Sequence, residues 1–254
     1  MALPEAPSFR LDGRRALVTG GSRGIGFAAA VALARAGAEV AITARNPDQV
    51  AAAVAAMRAD GLAASGVALD VTDTAAVTAF VGRVAPFDIL VNSAGGARHA
   101  AFVDMSEADF DTVMDVNARA TLFVSQAVVR GMIAAGIPGA IIHVSSQMGH
   151  VGGPRRVGYC ASKWAVEGMT KAMAVELGAH RIRVNSICPT FIETEMTGAA
   201  LADPEFRGWV LSKIKLGRMG RVEDLMGPVL FLASDAAALV TGASLLVDGG
   251  WTAE

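Results

Sequence analysis

Short runs of β-branched and aliphatic residues alternate along the chain with alanine-rich stretches whose apolar positions recur at helical spacing. The first run, at 16–19, is followed by a helical stretch over about 24–36 and then by a second run at 40–43. The alternation continues with a helix near 47–60, a strand at 66–69, a helix near 73–84 and a strand at 88–91. Ser106-Glu-Ala-Asp109 has the form of a capping box and opens a long helix through Asn117 toward residue 135. Beyond it lie a strand at 140–145, a helix at 158–177, a strand at 183–187, a helix near 222–234 and a last strand at 244–247. Only 194–217 breaks the rhythm, with charged, aromatic and proline-containing sequence that reads as a substrate loop or lid.

Strand–helix–strand units of this size wind a sheet in parallel, and strands covered on both faces read as near-continuous apolar runs. The pattern therefore predicts an α/β fold: a single-domain, doubly wound parallel sheet of about seven strands with helices on both faces. No repeat period or Pro/Ser-rich linker divides the chain, so residues 1–254 are read as one domain with a short tail at 1–10.

Composition supports that reading. Of 254 residues, 53% are hydrophobic and only 18% charged, and 28 glycines supply the tight turns that a buried sheet needs. The net charge is −2, with the basic residues dispersed rather than gathered in a stripe, which argues against a nucleic-acid partner. The first fifteen residues lack the apolar core of a signal peptide and no later stretch is long and apolar enough to span a bilayer, so the expectation is a cytoplasmic protein with no membrane partner. Cys160 and Cys188 match no metal-ligand spacing, and His99, His143, His150 and His180 form no H-x-x-x-H pair, so no metal is expected. His143, on an apolar strand, reads as a satisfied core residue.

The first strand runs into Thr19-Gly20-Gly21-Ser22-Arg23-Gly24-Ile25-Gly26 at the start of the first helix. A dinucleotide pyrophosphate needs backbone N–H donors at a helix N-terminus and no side chain in the way, and glycines spaced in this manner meet both needs. The second strand ends in Ala44-Arg45, where NAD-selective sites carry a carboxylate for the ribose 2′-OH. Arg45 and Arg23 are instead placed to hold a 2′-phosphate, which predicts NADP(H) in preference to NAD(H). The alternative for both arginines is a solvated surface position.

The chain has a single tyrosine, Tyr159, four residues before Lys163 at the start of a helix. A phenol titrates near 10, and a neighbouring ammonium favours its phenolate form, so the pair is suited to proton exchange near neutral pH. Ser146 follows a strand at the carboxyl edge of the sheet, where it is placed to hold a substrate oxygen. Asn117, a poor helix former inside a long helix, is placed to hold a water that links Lys163 to solvent. Ser146 lies in no G-x-S-x-G elbow, which argues against hydrolysis by a serine nucleophile.

From about residue 11 to 251 the chain resembles the short-chain dehydrogenase/reductase family. The resemblance implies hydride transfer between a nicotinamide dinucleotide and an alcohol or ketone, with Asn117, Ser146, Tyr159 and Lys163 as the catalytic tetrad and Tyr159 as acid/base. It implies Gly20, Ser22, Arg23, Gly24, Ile25 and Gly26 around the phosphates, and Asp70 with Val71 at the adenine. It also implies Asn92, Ala94 and Gly95 lining the cofactor, Tyr159 and Lys163 at the nicotinamide ribose, and Pro189, Ile192 and Thr194 at the carboxamide. Ser93 stands where the family more often has Asn, and Thr190 where it usually has Gly, a change that bears on substrate fit. Family members are most often homotetramers.

Specificity should come from 147–156 and 194–217. His150 is placed near the substrate mouth, Trp209 is either packing or a pocket wall, and Arg156 or Arg155 meets an anionic or polyhydroxylated small molecule unless both are solvated. A polyol or sugar acid is the first reading of the substrate. The alternatives are a 3-oxoacyl carrier-protein reductase, for which only Arg181 and Arg183 offer a docking patch, and a catalytically silent NADP(H)-binding regulator.

Overall fold

The computed structural model describes residues 1 and 3–254, the side chains of 196, 199 and 200 excepted. Seven strands, β1 (Arg15–Thr19), β2 (Glu39–Ala44), β3 (Ala64–Ala68), β4 (Ile89–Asn92), β5 (Gly139–Val144), β6 (Ile182–Pro189) and β7 (Ser244–Val247), form one sheet in the order β3-β2-β1-β4-β5-β6-β7. Every pairing is parallel. The winding reverses at β1, whose Thr19 faces Thr43 on one side and Asn92 on the other, so a crevice opens outside the carboxyl ends of β1 and β4.

Alternate residues of each strand enter opposite cores, as a period of two requires. On one face Ala16, Val18, Val40, Ile42, Val91 and Ile142 pack under α1 (Gly24–Arg35), α2 (Pro47–Ala59) and, late in the chain, a helix at Glu223–Ala233. On the other, Leu17, Leu90, Ile141 and Val184 meet side chains from α3 (Thr74–Val81) and from helices at Ala120–Ala135 and Val157–Leu177.

Two regions differ from the pattern read in the sequence. The long helix expected through Asn117 is instead α4 (Glu107–Met114) and α5 (Ala120–Ala135), joined by a π-helical turn at Asp115–Arg119 that contains Asn117. Such turns mark places where a helix gives up regular bonding to aim a group. Further on, after α6 (Val157–Leu177), the irregular 194–217 segment carries α7 (Glu195–Leu201) and α8 (Pro204–Lys213), ahead of α9 (Glu223–Ala233). Both new helices have ordinary start signals: Thr194 and Thr197 form a reciprocal cap, and Asp203 accepts from the Glu205 N–H with Pro204 in the first turn. A third apolar cluster, with Val210, Ile214, Met219 and Trp251 at its centre, holds this segment against Met148.

His143 sits in the middle of the sheet and is only half satisfied. Its Nδ1 lies 3.1 Å from Asn92 Nδ2, while Nε2 is buried with no partner. Burial pushes the imidazole down to about 4 from its usual 6.5. The unfolded chain therefore takes up this proton first, and stability drops as pH falls from about 6.5 toward about 4. Replacing His143 by Val should remove on the order of 3 kcal/mol of that acid-limb loss. Urea unfolding of both proteins at pH 7 and pH 4.5 checks this, and parallel pH profiles would refute it.

Candidate active site

The turn after β1 is built for close approach of backbone. Gly20 and Gly24 have φ of +65° and +55°. A β-carbon on Gly20 would stand 2.9 Å from the Ala94 backbone, and one on Gly26 would overlap the Gly20 carbonyl. At the N-terminus of α1 the cap residue, Arg23, makes no side-chain capping bond, so the first-turn N–H groups are not satisfied by it. Thr19 Oγ1 accepts from the N–H groups of Ser93 and Ala94 at 3.1 and 3.2 Å, which ties the loops after β1 and β4 into one wall. A helix start, a crowded glycine turn and a crevice at the winding reversal fit the pyrophosphate of a dinucleotide.

At the end of β2, Arg45 is exposed and contributes to lowering the Asp70 carboxyl below its usual range, after the hydrogen bonds from Thr72. Arg23 pairs with Glu195 of α7 at 3.1 Å, linking the glycine loop to the 194–217 segment. The Asn92 side chain turns into the core, donating to Ser125 and facing His143. Val71 is buried beside α3, Gly95 packs against the Asn117 amide, and Ile192 forms an isolated bridge with Gly220. Thr190 Oγ1, next to Pro189, is buried without a partner.

The four residues of the expected tetrad come together at the carboxyl ends of β4 and β5. Asn117 accepts from the Gly96 N–H and donates to both the Gly96 carbonyl and Ser162 Oγ, each at 2.9 Å. Ser162 in turn donates to the Tyr159 carbonyl at 2.7 Å. The Asn117 side chain thereby braces the β4 loop against α6. Lys163 donates to the Val144 carbonyl at 2.9 Å, with its Nζ 5.6 Å from the centre of the Tyr159 ring. Ser146 Oγ donates to Gln147 and accepts from the Met148 N–H.

Burial raises the Tyr159 phenol above its usual range, opposed by a hydrogen bond with Ser146 and by the Arg156 charge. The resting side chain is therefore a protonated acid. Burial also pushes the Lys163 ammonium down to about 8. Glu167, one turn farther along α6, opposes that fall. The groups that favour the Tyr159 phenolate in the resting site are Ser146 and Arg156, where the sequence pointed to Lys163.

Arg156 enters the site from a strained corner. Arg155 adopts φ of +61°, a costly conformation for a side chain other than glycine. The following Arg156 is 8% exposed, with its guanidinium 5.4 and 5.5 Å from the ring centres of Phe191 and Phe206. It donates to the Pro154 carbonyl, and among the described residues no carboxylate lies within ion-pair distance of it. Trp209 packs edge-on against Trp251 and stacks on Phe206. His150 Nε2 lies 3.3 Å from Cys188 Sγ.

Sequence reasoning missed two neighbours, His99 and Glu167. His99 meets the Tyr159 ring edge-on at 6.4 Å, from a segment with no regular pattern to announce it. Gln147 is buried beside Ser146. Glu167 had a legible signal, since it continues the Tyr159–Lys163 spacing by four.

A family model described as "Enoyl-(Acyl carrier protein) reductase" matches residues 20–252. Gluconate 5-dehydrogenase of Gluconobacter oxydans (strain 621H) is 43% identical over 248 residues, 96% of each chain. D-erythrulose reductase of Gallus gallus is 42% identical over 245 residues, 96% of this chain and 98% of that one. The crystal structure of a gluconate 5-dehydrogenase from Burkholderia cenocepacia J2315 in complex with NADP and tartrate matches with a TM-score of 0.93 and 40% identity, over 97% of this chain and 98% of that one.

Holding a proton on buried Lys163 costs the fold stability. Because the unfolded lysine keeps its proton to about 10.5 and the folded one only to about 8, stability should rise with pH across that window. Lys163→Met should abolish the rise and increase the melting temperature at pH 7. Thermal melts from pH 7 to 10 measure both, and a retained rise would contradict the assignment.

Proposed function

We propose that this chain, which belongs to the short-chain dehydrogenase/reductase family, moves a hydride between NADP(H) and a secondary alcohol or ketone of a sugar acid. The reaction rests on one arrangement: a single protonated tyrosine set between the Ser146 hydroxyl and the Lys163 ammonium. The dinucleotide, when bound, supplies or accepts the hydride. In reduction, Tyr159 gives its phenolic proton to the carbonyl oxygen while Ser146 holds that oxygen; in oxidation both roles reverse. Lys163 stabilises the phenolate left behind and is anchored for this by Val144. Asn117 keeps the β4 loop, α6 and hence Tyr159 in register.

Arg156 supports an acid over an uncharged polyol. A desolvated guanidinium with no carboxylate of its own beside the acid/base group favours a substrate anion, which would complete the pair. The relatives named gluconate 5-dehydrogenase and the tartrate in one of their structures agree with this. For the phosphate side, the exposed Arg45 at the end of β2 supports NADP(H), with Arg23 available once released from Glu195. Arg183, needed to dock an acyl carrier protein, is instead spent on the Leu232 and Ser234 carbonyls at the end of α9. Apolar Phe110, Leu122, Val157 and Trp164 remain exposed on α4–α6, which supports a homotetramer.

Absorbance at the reduced-nicotinamide band, with both dinucleotides against sugar acids, polyols, ketoses and acyl thioesters, tests the reading. Turnover on sugar acids should fall by about 10²–10⁴ in kcat for Tyr159→Phe. Arg156→Ala should raise KM for the acid and leave KM for an uncharged polyol unchanged. Tight NADP(H) binding without turnover of any compound would favour the regulator, and thioester activity alone the carrier-protein reductase. Arg45→Ala should raise KM for NADP by about 10–100-fold, the loss of one charge-assisted bond, with KM for NAD unchanged; equal effects on both would remove the phosphate role.

A further inference from the structure

Behind the catalytic face, three elements bring together a histidine, a carboxylate and a thiol that hydride transfer does not use. His150 follows the turn after β5, Glu167 lies on α6 and Cys188 ends near the edge of β6. Gly149 makes the approach possible, since a β-carbon there would stand 3.0 Å from Glu167 Cγ and 3.1 Å from Ser145 Oγ. His150 Nε2 lies 3.3 Å from Cys188 Sγ and 3.6 Å from Glu167 Oε2, and Cys188 Sγ lies 3.4 Å from Glu167 Oε1. We propose that His150, Glu167 and Cys188 form a binding site for a divalent cation of the zinc class.

The geometry carries this. With ion–ligand lengths of about 2.0–2.3 Å, tetrahedral coordination by N, O and S requires ligand–ligand edges of about 3.3–3.6 Å; the Nε2–Sγ and Nε2–Oε2 separations, 3.3 and 3.6 Å, fall in that range, and one ligand atom from each residue lies within 4.8 Å of the other two. The donor set of imidazole, thiolate and carboxylate suits zinc, whereas magnesium or calcium would want oxygen alone. Glu167 is already oriented by hydroxyl donors from Ser186 and Ser244, the kind of outer bond that fixes a ligating carboxylate. Cys188 and Glu167 are buried, while the His150 side chain is 29% exposed, so an ion enters past the imidazole and a water takes the fourth position.

The metal-free cluster holds a protonated thiol. Burial, reinforced by the Glu167 charge, pushes Cys188 up to about 12, and its S–H points to Glu167. Binding therefore exchanges the thiol proton for the ion: an S–H bond breaks, an S–metal bond forms and one proton leaves to solvent, so affinity rises with pH. The cluster's net charge changes from −1, carried by Glu167, to zero.

Cadmium titrated into the full chain tests the site without recourse to activity. A thiolate-to-metal charge-transfer band should grow to one equivalent, release one proton per ion and be displaced by zinc. It should survive Cys160→Ser and vanish in Cys188→Ser. His150→Gln, a change at a partly exposed position, should weaken binding by more than the about 10–100-fold that loss of a supporting partner costs. Absence of the band at one equivalent, or its persistence in Cys188→Ser, would overturn the proposal whether or not the chain turns over sugar acids.

Discussion

One buried amide joins the parts of this site. The three hydrogen bonds of Asn117 reach the loop after β4 and the second turn of α6, and through Ser162 the backbone of Tyr159 itself. To point there, Asn117 sits in a π-helical turn where an uninterrupted helix would carry it elsewhere. The distortion between α4 and α5 is thus the structural counterpart of a fixed tyrosine. Without the bridge, the crevice wall and the helix bearing Tyr159 would be separate units.

Around that bridge the chain concentrates groups that weaken its own fold. Lys163 holds charge in a buried setting, Arg156 lies under two aromatic rings without a counter-ion, and Arg155 keeps a left-handed backbone. Each is unfavourable for a resting protein and useful to one that must bind an anion and move a proton. The surrounding strands offset the cost with two apolar layers in which Val18, Val40, Leu90, Ile141 and Ile142 are fully enclosed.

Much of this was legible in the order of residues. Periodicity located all seven strands, because strands covered on both faces leave unbroken apolar runs. The glycine turn was readable because only a missing side chain permits the contact between Gly26 and Gly20. Helical spacing placed Lys163 beside Tyr159, and carried one turn farther it points to Glu167. Other features depend on contacts between distant segments. The π turn needs Gly96 as a partner, twenty-one residues away. The helices α7 and α8 were concealed by their polar composition although Thr194 and Asp203 mark their starts. The inward turn of Asn92 and the pairing of Arg23 with Glu195 likewise follow from tertiary packing alone.

The segment carrying α7 and α8 closes a ring of aromatics in which Phe191, Phe206, Trp209 and Trp251 each touch the next. Two of the chain's three indoles belong to it, and the third, Trp164, stands exposed on α6. Ultraviolet emission of the unlabelled protein is therefore weighted toward the mouth of the crevice. The molecule carries its own optical reporter of whatever enters there, with Arg156 positioned against the two phenyl rings of the same cluster.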